Sequence, residues 1–345
     1  MKPTRVLILY NEPVLALSHP DAESEQEIFF TVDEVEKVLA AAGFNVSRLG
    51  ASHDPARMTA ALEKKKPDVV FNLFEGTADQ AGNEAVVAGL LEWLRIPFTG
   101  SPSQCLCLSR TKHIAKTLLQ GAGLPTADFF VVEKGPVLSC PIPWPVIVKP
   151  AAQDASIGLD QGSVVDDLDR LNARIELLIK NYGAPVLVEQ FVPGREFNVG
   201  VIENPDMQVL PISEIRFIDK DPLFWPIVTY DAKWAPGTRD YESTPPDYPA
   251  RVSPRLKERV ENLAREAFLL LGCRDYARVD FRAKPNGKLY ILEVNPNPDF
   301  SPLAGLSGGL TSAGLTHAQF TVDLVLRALA RGGHTPLTTA SPVSV

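Results

Sequence analysis

An α/β fold in three segments is what this sequence predicts, on three observations. Up to about residue 101, short apolar runs alternate with amphipathic stretches, as strands and helices do in an open parallel sheet. From about 102 to 185, and again from about 186 to 331, strands and helices mix in a less regular order. A length of 345 residues accommodates two or three domains of ordinary size.

In the first segment a strand at 6–10 precedes an amphipathic helix at 31–42, which Gly43 stops as a C-cap. A short strand at 44–48 and a helix at 55–66 follow. The run at 68–73 is continuously apolar, the mark of a parallel strand covered on both faces. A helix at 83–95 leads into a turn at 97–100. Ligands of such sheets sit beyond the carboxyl ends of the strands, so Glu75, just past the third strand, is a site candidate. The second segment reads as a helix through 112–121, strands at 128–132 and 146–150, and a helix near 165–181. The third begins with a strand at 185–190 and ends in a helix at 315–330. Residues 332–345, rich in Gly, Pro, Ser and Thr, read as a disordered tail.

Composition narrows the function classes. A net charge of −8 argues against nucleic acid or an anionic membrane as partner. No apolar run approaches membrane-spanning length and no charged leader precedes one, which points to the cytoplasm. The cysteines, Cys105, Cys107, Cys140 and Cys273, fit no zinc or redox spacing and read as reduced thiols. The five histidines form no metal-ligand pattern.

Chemistry concentrates in four places. Tyr276-Ala277-Arg278-Val279-Asp280-Phe281 and Tyr290-Ile291-Leu292-Glu293-Val294-Asn295 read as two strands around an Asn286-Gly287 turn. Arg278 and Asp280 share one face of the first strand, and Glu293 and Asn295 share one face of the second. Asp280, Glu293 and Asn295 are hard oxygen ligands suited to Mg²⁺ beside nucleotide phosphates. Lys149 ends an otherwise apolar strand, where a buried ammonium needs an anion. The small-residue loop that follows, with Ser156 and Gly158, can fold backbone N–H groups over phosphate oxygens, but lacks the ending of a P-loop. Glu189 to Val199 is an apolar strand, a Pro193-Gly194 turn and alternating acidic and aromatic residues, the shape of an adenine hinge. Tyr230-Asp231-Ala232-Lys233-Trp234 follows an aromatic, Pro-punctuated stretch from 217.

In this order, from about residue 4 to about 330, these motifs resemble the ATP-grasp superfamily and, within it, the D-alanine–D-alanine ligase group. The resemblance implies two lobes that clamp ATP behind an open α/β domain, and an ADP-forming carboxylate–amine ligase that joins amino acids through an acyl phosphate. It assigns Lys112 and Lys149 to the phosphates, with Ser156 and Gly158 on the loop that closes over them. Glu189 accepts from the adenine amino group, Phe191 and Val192 form the hinge, and Glu196 binds ribose. Lys233 reaches the γ-phosphate from the lid, and Arg278 stabilises charge developing at the reacting carbon. Asp280, Glu293 and Asn295 hold Mg²⁺ or Mn²⁺. Small-molecule carboxylates and amines, with a second copy of the chain in a homodimer, are the implied partners.

Departures from the family pattern bear on the substrate. Its histidine is replaced by Glu75. Of its hydrogen-bonded Glu–Ser–Tyr set, Glu27 is the counterpart of the Glu, but Ala155 and Trp234 stand for Ser and Tyr. Beyond the metal strand Asp299 replaces a glycine and Ala304 a carboxylate-binding serine, with Ser301 nearby. An acid at that point disfavours a second substrate with a free α-carboxylate. Rival readings are an ATP-grasp ligase for a peptide or other carboxylate in secondary metabolism, and a nucleotide-binding regulator. The intact set Lys149, Asp280, Glu293 and Asn295 argues against the regulator.

Overall fold

The computed structural model describes residues 3–15, 22–77, 80, 82–153, 155–203, 205–302 and 304–333. Asp154 and the tail from 334, expected to be disordered, lie outside the described residues. The chain forms two compact units. One joins the chain up to Ser103 with Phe300–Pro302 and the chain from Leu315; the other holds Gln104–Asp299 and Leu303–Gly314.

In the first unit, β1 (Arg5–Asn11), α1 (Ala22–Ala41), β2 (Asn45–Ala51), α2 (Pro55–Lys65), β3 (Val69–Leu73) and α3 (Asn83–Trp93) follow one another in the alternation read from the sequence. β1 lies between β2 and β3 and pairs with both in parallel. All five residues of β3 are buried, Asn72 among its apolar neighbours, as a strand covered on both faces requires. At the start of α2 the Asp54 side chain accepts the Arg57 N–H and Pro55 takes the first turn.

The second unit is entered through α4 (Ser103–Arg110) and α5 (Lys112–Gly121). Its first sheet is antiparallel, made of β4 (Phe129–Val132), β5 (Val146–Pro150) and β6 (Val164–Val165), with α6 (Leu168–Tyr182) preceding β7 (Val186–Gln190). The strand order is β4-β7-β5-β6. The sequence boundary near 185 would separate β7 from this sheet. Its ladder partners β4 and β5 keep it there.

The second sheet holds β8 (Arg195–Glu203), β9 (Met207–Val209) and β10 (Ser213–Ile215). After the short α7 (Tyr230–Trp234) and α8 (Arg239–Glu242) come β11 (Pro246–Asp247), α9 (Pro254–Leu270), β12 (Tyr276–Ala283) and β13 (Leu289–Asn295). The order is β11-β10-β8-β12-β13, with β9 on β8. Phe197, Val199, Val201, Ala277, Val279 and Phe281 share a core with Val260, Ala264, Ala267 and Phe268 of α9. Period-two alternation therefore sends the even-numbered residues of β8 and β12 to the opposite face.

After β13 the chain forms α10 (Gly305–Ser312) and α11 (His317–Arg331). The sequence reading put α11 with the third segment; the structure packs it on the first unit, against α1 and β3. Its Phe320, Leu324, Val325 and Ala328 are buried, and the Phe300 ring lies 5.3 Å from Phe71 and 6.2 Å from Phe320. An apolar helix face needs a partner, and a parallel sheet needs cover on both sides.

Candidate active site

The polar face of the second sheet gathers the metal-type residues of the sequence. Cross-strand register sets Arg282 opposite Glu196, Asp280 opposite both Asn198 and Glu293, and Arg278 opposite Asn295. Arg278 grips Asp280 twice, Nε to Oδ1 and Nη2 to Oδ2, each at 2.8 Å. Asn198 Nδ2 donates to Asp280 Oδ1 at 2.8 Å. Asn295 Nδ2 donates to Asp280 Oδ2 at 3.1 Å and to Glu293 Oε1 at 3.3 Å, so one amide spans both carboxylates.

Charge is balanced closely here. Burial works against the Arg278 guanidinium, but Asp280, with Glu293 and Asp299, outweighs it and raises its pKa. Burial likewise opposes the charge of Glu293. Lys112, Lys149, Lys233 and Arg278 outweigh that and bring its pKa down to about 2. Two carboxylates and an amide around one point are the donors a hard divalent cation takes, with neither sulfur nor imidazole among them. The amide matters: among the described residues no three His, Cys, Asp or Glu side chains gather as a metal site.

A second cluster lies between the α5 helix and the first sheet. Lys149, at the end of β5, places Nζ 2.9 Å from Oε2 of Glu189 on β7. The other carboxylate oxygen, Oε1, accepts from Lys116 Nζ at 2.6 Å. Lys116 is fully enclosed, and desolvation lowers its pKa against the pull of Glu189. Burial also opposes the Glu189 charge, and its two lysines more than compensate. Lys112 is buried as well, not a helix-surface lysine. Its Nζ donates to Gln153 O and lies 3.7 Å from Glu293 Oε2.

Around these clusters the hinge and loops take shape. Phe191 N–H is given to Pro145 O at 3.0 Å, whereas no described residue accepts the Val192 N–H. Gly194 has φ +126°, and a Cβ there would meet Ala283 O at 2.1 Å, so the turn admits no side chain. Glu196 is buried, which raises its pKa, while Arg282 Nη2 at 2.9 Å holds it as an ion pair. In the small-residue loop Ala155 and Ser156 adopt φ of 53° and 62°, and Gly158 lies against Pro150 and Tyr182 where no Cβ fits. Adjacent non-glycine residues in the left-handed region store strain of the kind found at ligand-clamping loops.

The lid stretch is fastened to that loop. Ser156 Oγ donates to Val228 O at 3.0 Å, and Tyr230 N–H to Leu159 O at 2.9 Å. Trp225 packs edge-on to Phe191 at 5.4 Å, and Phe224 lies under Arg239 at 4.4 Å, so these two aromatics pack onto their own unit. Lys233 is solvent-accessible, yet desolvation and then Arg278 lower its pKa, while Glu293, Asp280 and Glu196 pull the other way. Glu27 and Glu75 are exposed residues of the first unit, on α1 and just beyond β3.

The family described as D-ala D-ala ligase C-terminus matches residues 118–326, well over half of the chain. The chain belongs to the D-alanine–D-alanine ligase family. A D-alanine–D-alanine ligase of Desulfotalea psychrophila is 31% identical over 307 residues, covering 87% of this chain and 90% of that protein. One from Sinorhizobium medicae is 31% identical over 82% of this chain and 86% of its own length. An uncharacterized protein of Sinorhizobium fredii, y4sG, is also 31% identical, over 72% of this chain and 68% of that protein. The solved D-alanine–D-alanine ligase of Bacillus anthracis complexed with ATP superposes with a TM-score of 0.74 at 22% identity. That superposition covers 95% of this chain and 98% of the other, and the fold is ATP-grasp.

Membership in the D-alanine–D-alanine ligase family sharpens the departures. Trp234 and Ala155, two of the departures read from the sequence, meet: the indole N–H donates to Ala155 O at 3.2 Å. Asp299 acts electrostatically on Arg278. Ala304 precedes α10 without a side-chain cap. Two residues of the site escaped sequence reading. Asn198 follows Glu196 by two on one strand, and Lys116 follows Lys112 by four on one helix face; each spacing was a usable signal.

Proposed function

We propose that this chain is an ATP-dependent, ADP-forming ligase that joins amino acids, carboxylate to amine, through an acyl phosphate, and that its amine substrate is not D-alanine. The observation that carries the reaction class is the polar face of β8, β12 and β13, where Arg278, Asp280, Glu293 and Asn295 converge.

Asp280, Glu293 and Asn295 are the residues to hold Mg²⁺ or Mn²⁺, which when bound neutralises phosphate charge during phosphoryl transfer. Lys112, Lys149 and Lys233 draw the phosphates toward that face, with Ser156 and Gly158 on the loop above them. Glu189 and Val192 read the adenine edge, Phe191 backs it, and Glu196 takes the ribose. A carboxylate oxygen attacks the γ-phosphorus and ADP leaves; the amine then attacks the acyl carbon, and phosphate departs. Arg278 stabilises the negative charge that develops on the tetrahedral oxygen. Closure of the lid keeps water from the acyl phosphate. Glu27 and Glu75 are proposed to serve the first substrate.

The amine preference follows from Asp299. Its charge already acts on Arg278, which Asp280 engages through Nε and Nη2. A second substrate with a free α-carboxylate would add an anion to a guanidinium already shared between acids. An amine that is cationic or neutral overall, such as a diamine or an amino-acid amide, meets no such penalty. The test is ADP release with D-alanine alone against a panel of amino acids, diamines and amino-acid amides. Fastest turnover on D-alanine alone, with D-alanyl-D-alanine as product, would overturn this substrate reading.

No helix among the described residues is long and apolar enough to cross a membrane. A cytoplasmic enzyme supplied by cellular ATP, acting as a homodimer, completes the proposal; sedimentation analysis tests the assembly.

A further inference from the structure

Lys116 is the buried ion that the reaction scheme leaves unused. Its side chain is 1% exposed, a placement that is costly unless the charge is fully met. Two groups meet it, Glu189 Oε1 and Thr126 Oγ1, each at 2.6 Å. Thr126 Oγ1 passes its own proton on to Ile291 O at 2.8 Å, which fixes the hydroxyl as acceptor toward the lysine. Ile291 N–H closes the link on Pro125 O at 2.7 Å. Ile291 belongs to β13, two residues before Glu293. One ammonium thus connects the strand bearing Glu189 with the strand bearing Glu293.

The Glu189 carboxylate is hydrogen-bonded to Lys116 at Oε1 and ion-paired with Lys149 at Oε2, and the two contacts oppose turning of its plane. Direction is what matters for a base-reading carboxylate. Each oxygen keeps a lone pair for an exocyclic amino donor, whereas a carbonyl oxygen at the same place is repelled. We propose that Lys116 is a positioning residue that aims Glu189 and thereby sets the preference for adenine over guanine nucleotides, tied through Thr126 to the strand of Glu293. This rests on Glu189 being the acceptor for the base amino group.

The test compares kcat and KM for ATP and GTP in the full-length enzyme, Lys116→Met, Glu189→Gln and the double variant. Lys116→Met should raise KM for ATP about tenfold or more, change kcat by less than about threefold, and lower the ATP-to-GTP ratio of kcat/KM at least about tenfold. The double variant should be no worse than Glu189→Gln alone, because the lysine acts through the carboxylate. A purely structural lysine would lower active protein and leave the nucleotide ratio where it was. A ratio unchanged in Lys116→Met but collapsed in Glu189→Gln overturns the proposal and leaves the reading of Glu189 intact. A ratio unchanged in both removes the Glu189 reading, and the proposal with it. Should Lys116→Met not fold, Thr126→Val keeps the charge and removes the anchor. It should lower the same ratio, and an unchanged ratio there overturns the coupling.

Discussion

Single carboxylates on the polar face have separable jobs. On the proposed reading, lysines and the hinge hold ground-state nucleotide, whereas charge at Glu293 matters most as phosphoryl transfer proceeds. Glu293→Gln should therefore bind ATP with affinity within about tenfold of the parent while turnover falls by about three orders of magnitude or more. Unchanged ADP production in that variant would remove Glu293 from the metal set. Asp299 is tested in the opposite sense. Asp299→Asn removes one of the acids that act on Arg278, and should improve kcat/KM for amines bearing a carboxylate relative to diamines, by about tenfold. A panel with the same ranking before and after would show that Asp299 does not choose the substrate. The shared face of Arg278 and Asp280, and that of Glu293 and Asn295, was legible because residues two apart in a strand point the same way. Lys116 was less so: its spacing of four from Lys112 puts both on one helix face, but nothing in an amphipathic helix marks which lysine will be enclosed.

At the scale of elements, Gln161, just beyond the small-residue loop, adds to the bonds that Ser156 and Leu159 make to the stretch from 217. Gln161 accepts Trp225 N–H at 2.8 Å and donates to Trp225 O at 3.3 Å and to Asp240 Oδ1 at 3.1 Å. Hydrogen exchange across 217–235 should be faster in Gln161→Ala than in the parent. In both it should slow when Mg²⁺, substrate and a non-hydrolysable ATP analogue are added. Full and equal protection with and without ligands would mark the stretch as a fixed element instead. A second fastening is ionic: Arg239 donates to Asp219 at 2.7 and 3.0 Å and to Asp221 at 2.9 Å. The hydrogen bonds from Arg239 bring the Asp219 pKa from 3.8 down to about 2. An acid depressed on folding contributes above its ordinary pKa and loses that contribution as pH falls through the depressed one. Pepsin cleavage between 217 and 243 should thus stay slow near pH 4 and accelerate toward pH 2, and a flat profile would deny the clasp its role. Sequence reading singled out the stretch from 217 by its Pro punctuation, but left α9 unassigned although Val260, Ala264, Ala267 and Phe268 recur at helical spacing.

For the whole molecule, the assignment of α11 to the first unit has a measurable consequence. Phe300 is 2% exposed between Phe71 and Phe320, and His317 Nε2 lies 2.9 Å from its carbonyl oxygen. Phe300→Ala should destabilise the first unit by about 3–5 kcal/mol, the usual cost of emptying an aromatic site in a packed core. Urea unfolding followed by probes in each unit measures it. A loss under about 1 kcal/mol would mean that the aromatic cluster does not hold α11 in place.

By itself the sequence determined the α/β class, the alternation of strands and helices in the first unit, and the residues that share a face on each strand of the hairpin β12–β13. Each follows from local periodicity and turn chemistry, which operate over a few residues. Only the tertiary structure decided that β7 joins the sheet of β4 and β5, that α11 returns to the first unit, and that Lys116 and Lys149 share one carboxylate. These are contacts between residues far apart in the chain: Lys116 and Glu189 are 73 positions apart and Thr126 and Ile291 are 165. No local pattern encodes such pairings, because their free energy arises from burying apolar faces and matching buried charges once the elements have come together.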